Sequence, residues 1–505
     1  CLPKTAWPPT CMEKELTRGA GILMPVSSLP SKYGIGTLGK AAYDFVDDLV
    51  RAGQKYWQVL PIGPTSFGDS PYQSFSTYAG NPYFIDLDLL IEEGLLQRQE
   101  VEMIRWYEKE DQVSYELLWE YRYSVLKAAF ERSDHEKTKE YRDFMEREKD
   151  WISSYSLYMA CKEHFGNREW LSWKKNIRDR KMEALISYQV MLEKEIRFWE
   201  FVQYKFWQQW DRLHAYANEK GIQIIGDIPI YVALDSADVW VHPEQFLLDE
   251  NHEPTVVAGC PPDAFSDEGQ KWGNPIYDWE RMEREDFAWW KKRIRAAARC
   301  YDVIRIDHFI GIVRYYKIPV NESAKKGSFA WGPGLKLLKA LDESIGEAKI
   351  IAEDLGVLVP EVGEVLQKSG YPGMKVLEFA FDGKRENPYL PHNYPKNCVV
   401  YGGTHDNDTL EGYYDMLSKE NRAYAMAYCQ VKRKKKLTDA IIRIGYASVA
   451  NTVIFQMQDI LKKNNNARMN YPSTIGTNWR WRMKSQEFTT KKQKRLAKLA
   501  NIYGR

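Results

Sequence analysis

Asp307 in VIRIDHF, Glu353 in KIIAEDL and Asp406 in VVYGGTHD each stand at the end of a short apolar run. An unpaired ionised carboxylate is costly to bury, so a chain that ends one strand after another on an acid is building a site that uses it. In VIRIDHF the two-residue period of a strand places Arg305 and Asp307 on one face and Ile304 and Ile306 on the other. A guanidinium beside a carboxylate favours its ionised form, so Asp307 is expected to stay charged, as a nucleophile must. Glu353 has apolar neighbours and other acids nearby, surroundings that favour the protonated form and suit a general acid. Asp354 competes for that role, because a one-residue error in register exchanges the faces; a cap or loop hydrogen bond is its other reading. Asp406 lies in GGTHDNDTL with His405 beside it. Three acids with an arginine and a histidine could serve glycosyl transfer through a covalent glycosyl-enzyme, or a metal site. Eight histidines with no HxH or HExxH spacing, and none in GAGILMPV, make the metal the minor alternative.

These residues need a frame that brings strand ends together. Eight short apolar runs occur at 21–26, 56–62, 223–229, 303–309, 349–355, 374–380, 399–406 and 452–459. Stretches of helical periodicity at 41–52, 287–299, 335–345, 361–368 and 421–435 supply the crossovers that parallel strands require. The spacing predicts an α/β fold, a (β/α)8 TIM barrel with its acids at the C-terminal strand ends. Between the second and third runs, residues 96–221 are rich in Glu, Lys, Arg, Trp and Tyr at helical spacing and read as an inserted helical subdomain, with WEYRYSVLKAAFERSD an amphipathic helix packed on its neighbours. Residues 18–95 then form the first part of the barrel and 222–505 the remainder. Residues 1–17 read as a leader outside the fold, with Met12 as the natural start.

The 505 residues exceed the roughly 250 of a minimal barrel and leave room for such insertions. Basic and acidic side chains, 71 and 70, nearly cancel, so nothing recommends a nucleic acid or an anionic membrane as partner; a neutral substrate fits better. The cluster VKRKKKL reads as the solvated end of a helix. No run approaches the roughly 20 apolar residues of a membrane span and no secretion signal is present, which makes the cytoplasm the expected location. Seven cysteines without CxxC pairing argue for reduced thiols and against a structural zinc site.

With 18 Trp and 32 Tyr the chain has many flat faces for sugar rings, although most aromatics fill core. Position discriminates better. The loop GPTSFGDSPYQSFSTYAGNPYFIDL follows the second strand and carries Phe67, Tyr72, Phe75, Tyr78 and Tyr83, which read as a substrate wall. A second loop, 259–279, lacks periodicity and reads as a lid.

The motifs GILMPVSSLPSKYGIGTLG, DSPYQSFSTYAGNPYFIDL, GDIPIYVALDSADVW, PPDAFSDEGQKWGNPIY, IRIDHFIG, IAEDLG, GTHDNDT and NWRWRM occur in one order over essentially the whole chain. In them the chain resembles the 4-α-glucanotransferases, called amylomaltases or disproportionating enzymes, a glycoside hydrolase family of the α-amylase clan. The resemblance implies that Asp307 is the nucleophile, Glu353 the acid/base and Asp406 the transition-state stabiliser. It also implies that Tyr72, Asp227, Arg305 and His405 surround the reacting sugar, and that Trp272, Gly273 and Asn274 lie in the active-site lid. It implies maltooligosaccharides and α-1,4-glucans as substrates and no metal or organic cofactor; oligomeric state is left open. An α-amylase-like retaining hydrolase is the alternative. Phe67 stands where some members carry a tyrosine of a remote glucan site, and Ser473 and Thr477 replace glycines found in some members.

Overall fold

A computed structural model describes residues 14–66, 68–262, 267–356 and 359–505. The reading of Phe67, and that of residues 1–13 as a leader, fall outside the described residues. In chain order the strands are β1 (Gly19–Leu23), β2 (Tyr56–Gln58), β3 (Gln223–Pro229), β4 (Val256–Cys260), β5 (Gln270–Pro275), β6 (Val303–Asp307), β7 (Arg314–Pro319), β8 (Ser328–Trp331), β9 (Lys349–Ala352), β10 (Gly373–Val376), β11 (Cys398–Tyr401) and β12 (Thr452–Gln456). Eight of them form one sheet in the order β10-β11-β12-β1-β2-β3-β6-β9. Every neighbouring pair is parallel. These are the eight apolar runs of the sequence, and all the strands except β3 stop short of the run ends because the last residues turn out of the sheet into the loops at its mouth.

The sheet closes between β9 and β10. Ala352 N–H donates to the Pro372 carbonyl at 3.0 Å, and the Asp354 carboxylate accepts the Met374 N–H at 2.7 Å. Gly373 leaves the room this needs, since a Cβ there would stand 2.5 Å from an Asp354 oxygen. Of its two readings, Asp354 therefore takes the structural hydrogen bond, and it ties the barrel shut. The result is a (β/α)8 barrel.

Between β2 and β3 the chain forms a series of helices ending in Glu193–Glu219, whose 27 residues lead into β3. The WEYRYSVLKAAFERSD stretch lies in the helix Tyr115–Arg132 up to its last two residues, Ser133 and Asp134, which follow the helix end. Two buried amides on Glu193–Glu219 grip the loop after β2. Gln203 bonds both the N–H and the carbonyl of Gly80, at 2.8 and 2.9 Å. Gln209 does the same for Asp86, at 2.7 and 3.2 Å. Such paired bonds satisfy backbone groups that a buried loop would otherwise strand.

Three expectations are corrected. The segment read as an irregular loop holds two paired strands among its described residues: β4 and β5 are antiparallel, and β4 continues through β7 and β8 as a second, four-stranded sheet. Gly259 permits the close approach, because a Cβ there would meet the Gln270 carbonyl at 2.2 Å. The helix expected over 421–435 ends at Tyr428, and a separate helix runs over Leu437–Ala447. Gln430 is left-handed, at φ 54°, and the chain turns there, so the basic VKRKKK segment is a connection rather than a helix end. Lys14 to Thr17, excluded with the leader, pack on the barrel: Lys14 Nζ bonds Asp342 at 2.6 Å, and Tyr56 donates to the Thr17 carbonyl at 2.8 Å.

Candidate active site at the barrel mouth

Arg305 is the hub. It is buried on β6, and its Nη1 donates to both oxygens of Asp227 at 2.8 and 2.7 Å and to Asp307 Oδ1 at 3.1 Å. Arg305 and Asp227 are register partners on β6 and β3, so the parallel pairing itself sets them side by side. The two-residue period puts Asp307 on the face of Arg305, while Ile304 and Ile306 are buried on the other face. Burial raises the proton affinity of Asp227, and Arg305 opposes that shift. Tyr72 reaches in from the loop after β2 and donates to Asp227 Oδ2 at 2.8 Å.

Glu353, just beyond β9, is set differently. It is buried, and desolvation, only partly offset by Arg305 and reinforced by Asp307, pushes its carboxyl up to about 8. Its oxygens accept backbone N–H groups, His308 at 2.6 Å and Leu355 at 3.3 Å. His308 can aim its N–H there because it is left-handed, at φ 51°, a conformation a non-glycine residue adopts only when its surroundings hold it. Burial pushes the His308 imidazole down to about 4, so its ring is neutral at ordinary pH. One mouth thus holds an acid locked to a guanidinium and an acid kept protonated by burial, the division of labour that paired carboxylates need for acid and nucleophilic work.

The third acid follows β11. Asp406 has a side chain 46 % exposed, faces the opening, and is held by Asn470 Nδ2 at 2.6 Å while Arg468 donates to its carbonyl at 2.6 Å. His405 Nε2 lies 3.4 Å from Asp406 Oδ1. Its ring stacks on Tyr72, centroids 4.8 Å apart and 19° between planes, and its Nδ1 is 3.3 Å from the Tyr72 hydroxyl. Trp479 covers both rings, at 5.8 Å from Tyr72 and 5.7 Å from His405. His308, Arg468, Asn470 and Trp479 were not among the residues singled out for the site. IRIDHFIG and NWRWRM contained two of them, but nothing local to those motifs says which atoms face Glu353 or His405.

The hairpin meets this centre through Trp272, whose ring stands edge-on to His308 with centroids 4.9 Å apart and planes at 87°. Gly273 is left-handed, at φ 80°, with open space about it. Asn274 donates to the Val232 carbonyl at 2.8 Å and accepts from Gln73 at 3.2 Å, so its amide anchors the hairpin to the loops after β2 and β3. The aromatic wall is smaller than expected. Of the wall residues that are described, Tyr72 faces the acids, whereas Tyr78 stacks on Trp151, Tyr83 packs on Tyr123 and Phe75 lies by Tyr158; these three join the loop to the helical insertion. Among the described residues no three His, Cys, Asp or Glu side chains are grouped so as to hold a metal ion, and no helix is long and apolar enough to cross a membrane.

A (β/α)8 barrel with three carboxylates at the C-terminal mouth is an enzyme of the barrel class, working where its strand ends converge. The family described as 4-alpha-glucanotransferase matches residues 24–489, and the chain belongs to that family. It is 48 % identical to a 4-alpha-glucanotransferase of Clostridium butyricum over 95 % of this chain and 100 % of that protein. It is 44 % identical to one of Thermus thermophilus, over 96 % and 99 %. The solved amylomaltase of Streptococcus agalactiae, in complex with acarbose, superposes with a TM-score of 0.94 at 44 % identity, covering 97 % of this chain and 99 % of that one.

Proposed function

We propose that this chain moves α-1,4-glucan segments from a donor to the 4-hydroxyl of an acceptor glucan or glucose by a retaining double displacement. Glu353 donates its proton to the glycosidic oxygen while Asp307 attacks the anomeric carbon. The leaving sugar departs and a covalent β-glycosyl ester on Asp307 remains. The acceptor 4-hydroxyl then attacks that carbon, the ester bond breaks, and Glu353, now a carboxylate, takes the hydroxyl proton. Asp406 bonds the ring hydroxyls more strongly as the ring flattens in the transition state. Tyr72, Asp227, Arg305 and His405 line the reacting subsite, and the Trp272, Gly273 and Asn274 hairpin acts as the lid that favours sugar over water. Maltooligosaccharides and α-1,4-glucans are the substrates and neither metal nor organic cofactor is needed; the setting is the cytoplasm, with no nucleic-acid or membrane partner.

The observation that carries this reading is the contrast between the two acids, Asp307 on the Arg305 guanidinium and Glu353 buried and protonated. Incubation with maltotriose and excess chelator tests it. Glucane transfer gives glucose and longer oligomers at constant reducing ends; rising reducing ends would mean the hydrolase, and dependence on added metal would overturn the cofactor-free scheme. Asp307→Asn is expected to lower transfer by about three orders of magnitude or more while maltooligosaccharide binding persists; near-normal turnover would remove the nucleophile assignment.

A further inference from the structure

Two buried carboxyls lie behind Asp406 and take no part in the scheme above. Glu378 follows β10 and Asp459 follows β12, and both are buried, Asp459 completely. Glu378 Oε1 and Asp459 Oδ2 are buried without a hydrogen-bond partner. Both press on the strand exit that leads to His405 and Asp406. Glu378 N–H donates to the Gly402 carbonyl at 3.1 Å, and its Oε1 would stand 2.7 Å from a Cβ on Gly403, while Asp459 Oδ2 would stand 3.2 Å from one on Gly402. Two consecutive glycines therefore let the backbone pass against two carboxyl groups. Asp459 Oδ1 accepts the Leu410 N–H at 2.8 Å, which fixes the far side of the same loop.

Among the described residues no cation is bonded to either free oxygen of the pair. The remaining acids around it are Asp408 and Glu411, the phenol of Tyr413 is near, and the cation is Arg468. The Arg468 guanidinium is already engaged, with Asp408 at 2.7 Å and the Asp406 carbonyl at 2.6 Å. Two buried carboxylates without a counter-ion would carry a large desolvation cost, which a proton removes. Burial and the neighbouring Asp459 accordingly hold Glu378 well above the usual carboxyl range, and burial pushes Asp459 up to about 7.

We propose that Glu378 is a positioning residue that works as an uncharged carboxyl, buttressing with Asp459 the Gly402–Gly403 segment that carries His405 and Asp406 into the site. Its effect on turnover rests on the role given to Asp406 above; its protonation does not.

The test compares Glu378→Gln, Glu378→Ala and wild type in the full chain, reading kcat and KM on maltotriose and melting temperature across pH 6 to 9. A neutral isostere should replace a neutral acid, so Glu378→Gln is expected to keep kcat within about threefold. Glu378→Ala is expected to lose on the order of 100-fold in kcat with KM little changed, because the buttress is gone and Asp406 is misplaced. Ionisation of a buried acid costs wild type stability as pH rises, so the melting temperature of Glu378→Gln should gain on wild type from pH 6 to 9. Loss of kcat in Glu378→Gln equal to that in Glu378→Ala would show that a carboxylate is needed and overturn the proposal. So would parallel melting curves across that range. Unchanged kcat in Glu378→Ala would refute the positioning role. If Glu378→Gln does not fold, Asp459→Asn carries the same melting comparison, and parallel curves there overturn the uncharged pair. Inactivity of Asp406→Asn checks the reading beneath, independently of the melting data.

Discussion

Asp307 and Glu353 are chemically similar groups in opposite surroundings, and the proposed mechanism gives them opposite tasks. The difference between them is a guanidinium 3.1 Å from one and burial around the other, only partly offset by Arg305 and the His308 N–H. The direction of the Glu353 shift sets two pH dependences. Its acid form, which the proposed mechanism needs to protonate the leaving group, is lost as pH rises through about 8, so kcat/KM on maltotriose should fall there. A donor with a good leaving group needs little protonation and should not show that fall in the first half-reaction. The same shift bears on stability with a definite sign. A carboxyl that binds its proton more tightly folded than unfolded contributes full stability below the ordinary carboxyl range, and loses it as pH climbs toward about 8. Glu353→Gln should therefore melt above wild type, by a margin that opens between about pH 5 and pH 8 as the wild-type acid becomes costly. Equal margins at both ends of that window would contradict the burial account.

At the scale of elements, the site is held by few connections. The β4–β5 hairpin reaches Glu353 through a relay, Trp272 against the His308 ring and the His308 N–H on Glu353. Trp272→Ala is expected to loosen the hairpin and admit water to the glycosyl-enzyme, raising the hydrolysed share of maltotriose several-fold, read as the growth of reducing ends. An unchanged share would mean that the hairpin does not govern partition. The loop after β2 owes its position to Gln203 and Gln209, which is why Tyr72 stands where it can bond Asp227. Ser473, at a position where some family members have glycine, is left-handed, at φ 65°, a conformation a side chain makes less favourable.

For the molecule as a whole, the barrel is also stitched where its first and last strands in chain order, β1 and β12, lie side by side. Arg505 is buried and donates to five carbonyls, those of Tyr446, Gly19, Asn451, Gly445 and Ser448, at 2.7 to 3.3 Å. Gly19 begins β1 and Asn451 precedes β12, so one guanidinium fastens adjoining barrel strands. Arg505→Ala leaves those carbonyls without their donor, and a loss of about 2–4 kcal/mol is expected in denaturant titration; a loss below about 0.5 kcal/mol would show that water replaces it.

The sequence by itself determined the eight strands, because an apolar run bounded by turns is a local property and buried parallel strands are nearly continuous apolar runs. It also determined that Asp307, Glu353 and Asp406 stand at strand ends, and from the ordered motifs the family. It did not separate Glu353 from Asp354, since the two differ only in which neighbour each faces: the His308 N–H in one case, the Met374 N–H across the closure in the other. The β4–β5 hairpin was hidden because β4 finds its partners in β5 and in β7, the latter some 60 residues onward. RYYKIP in β7 carried a strand pattern, yet only pairing reveals the sheet. Tyr78 and Tyr83 read like Tyr72 until the helical insertion supplied Trp151 and Tyr123 as their partners. Which acid keeps its proton was indicated by Arg305 two residues before Asp307 and by the apolar run before Glu353, but the burial that pushes Glu353 up to about 8 was decided by tertiary structure, because desolvation is set by residues remote in the chain.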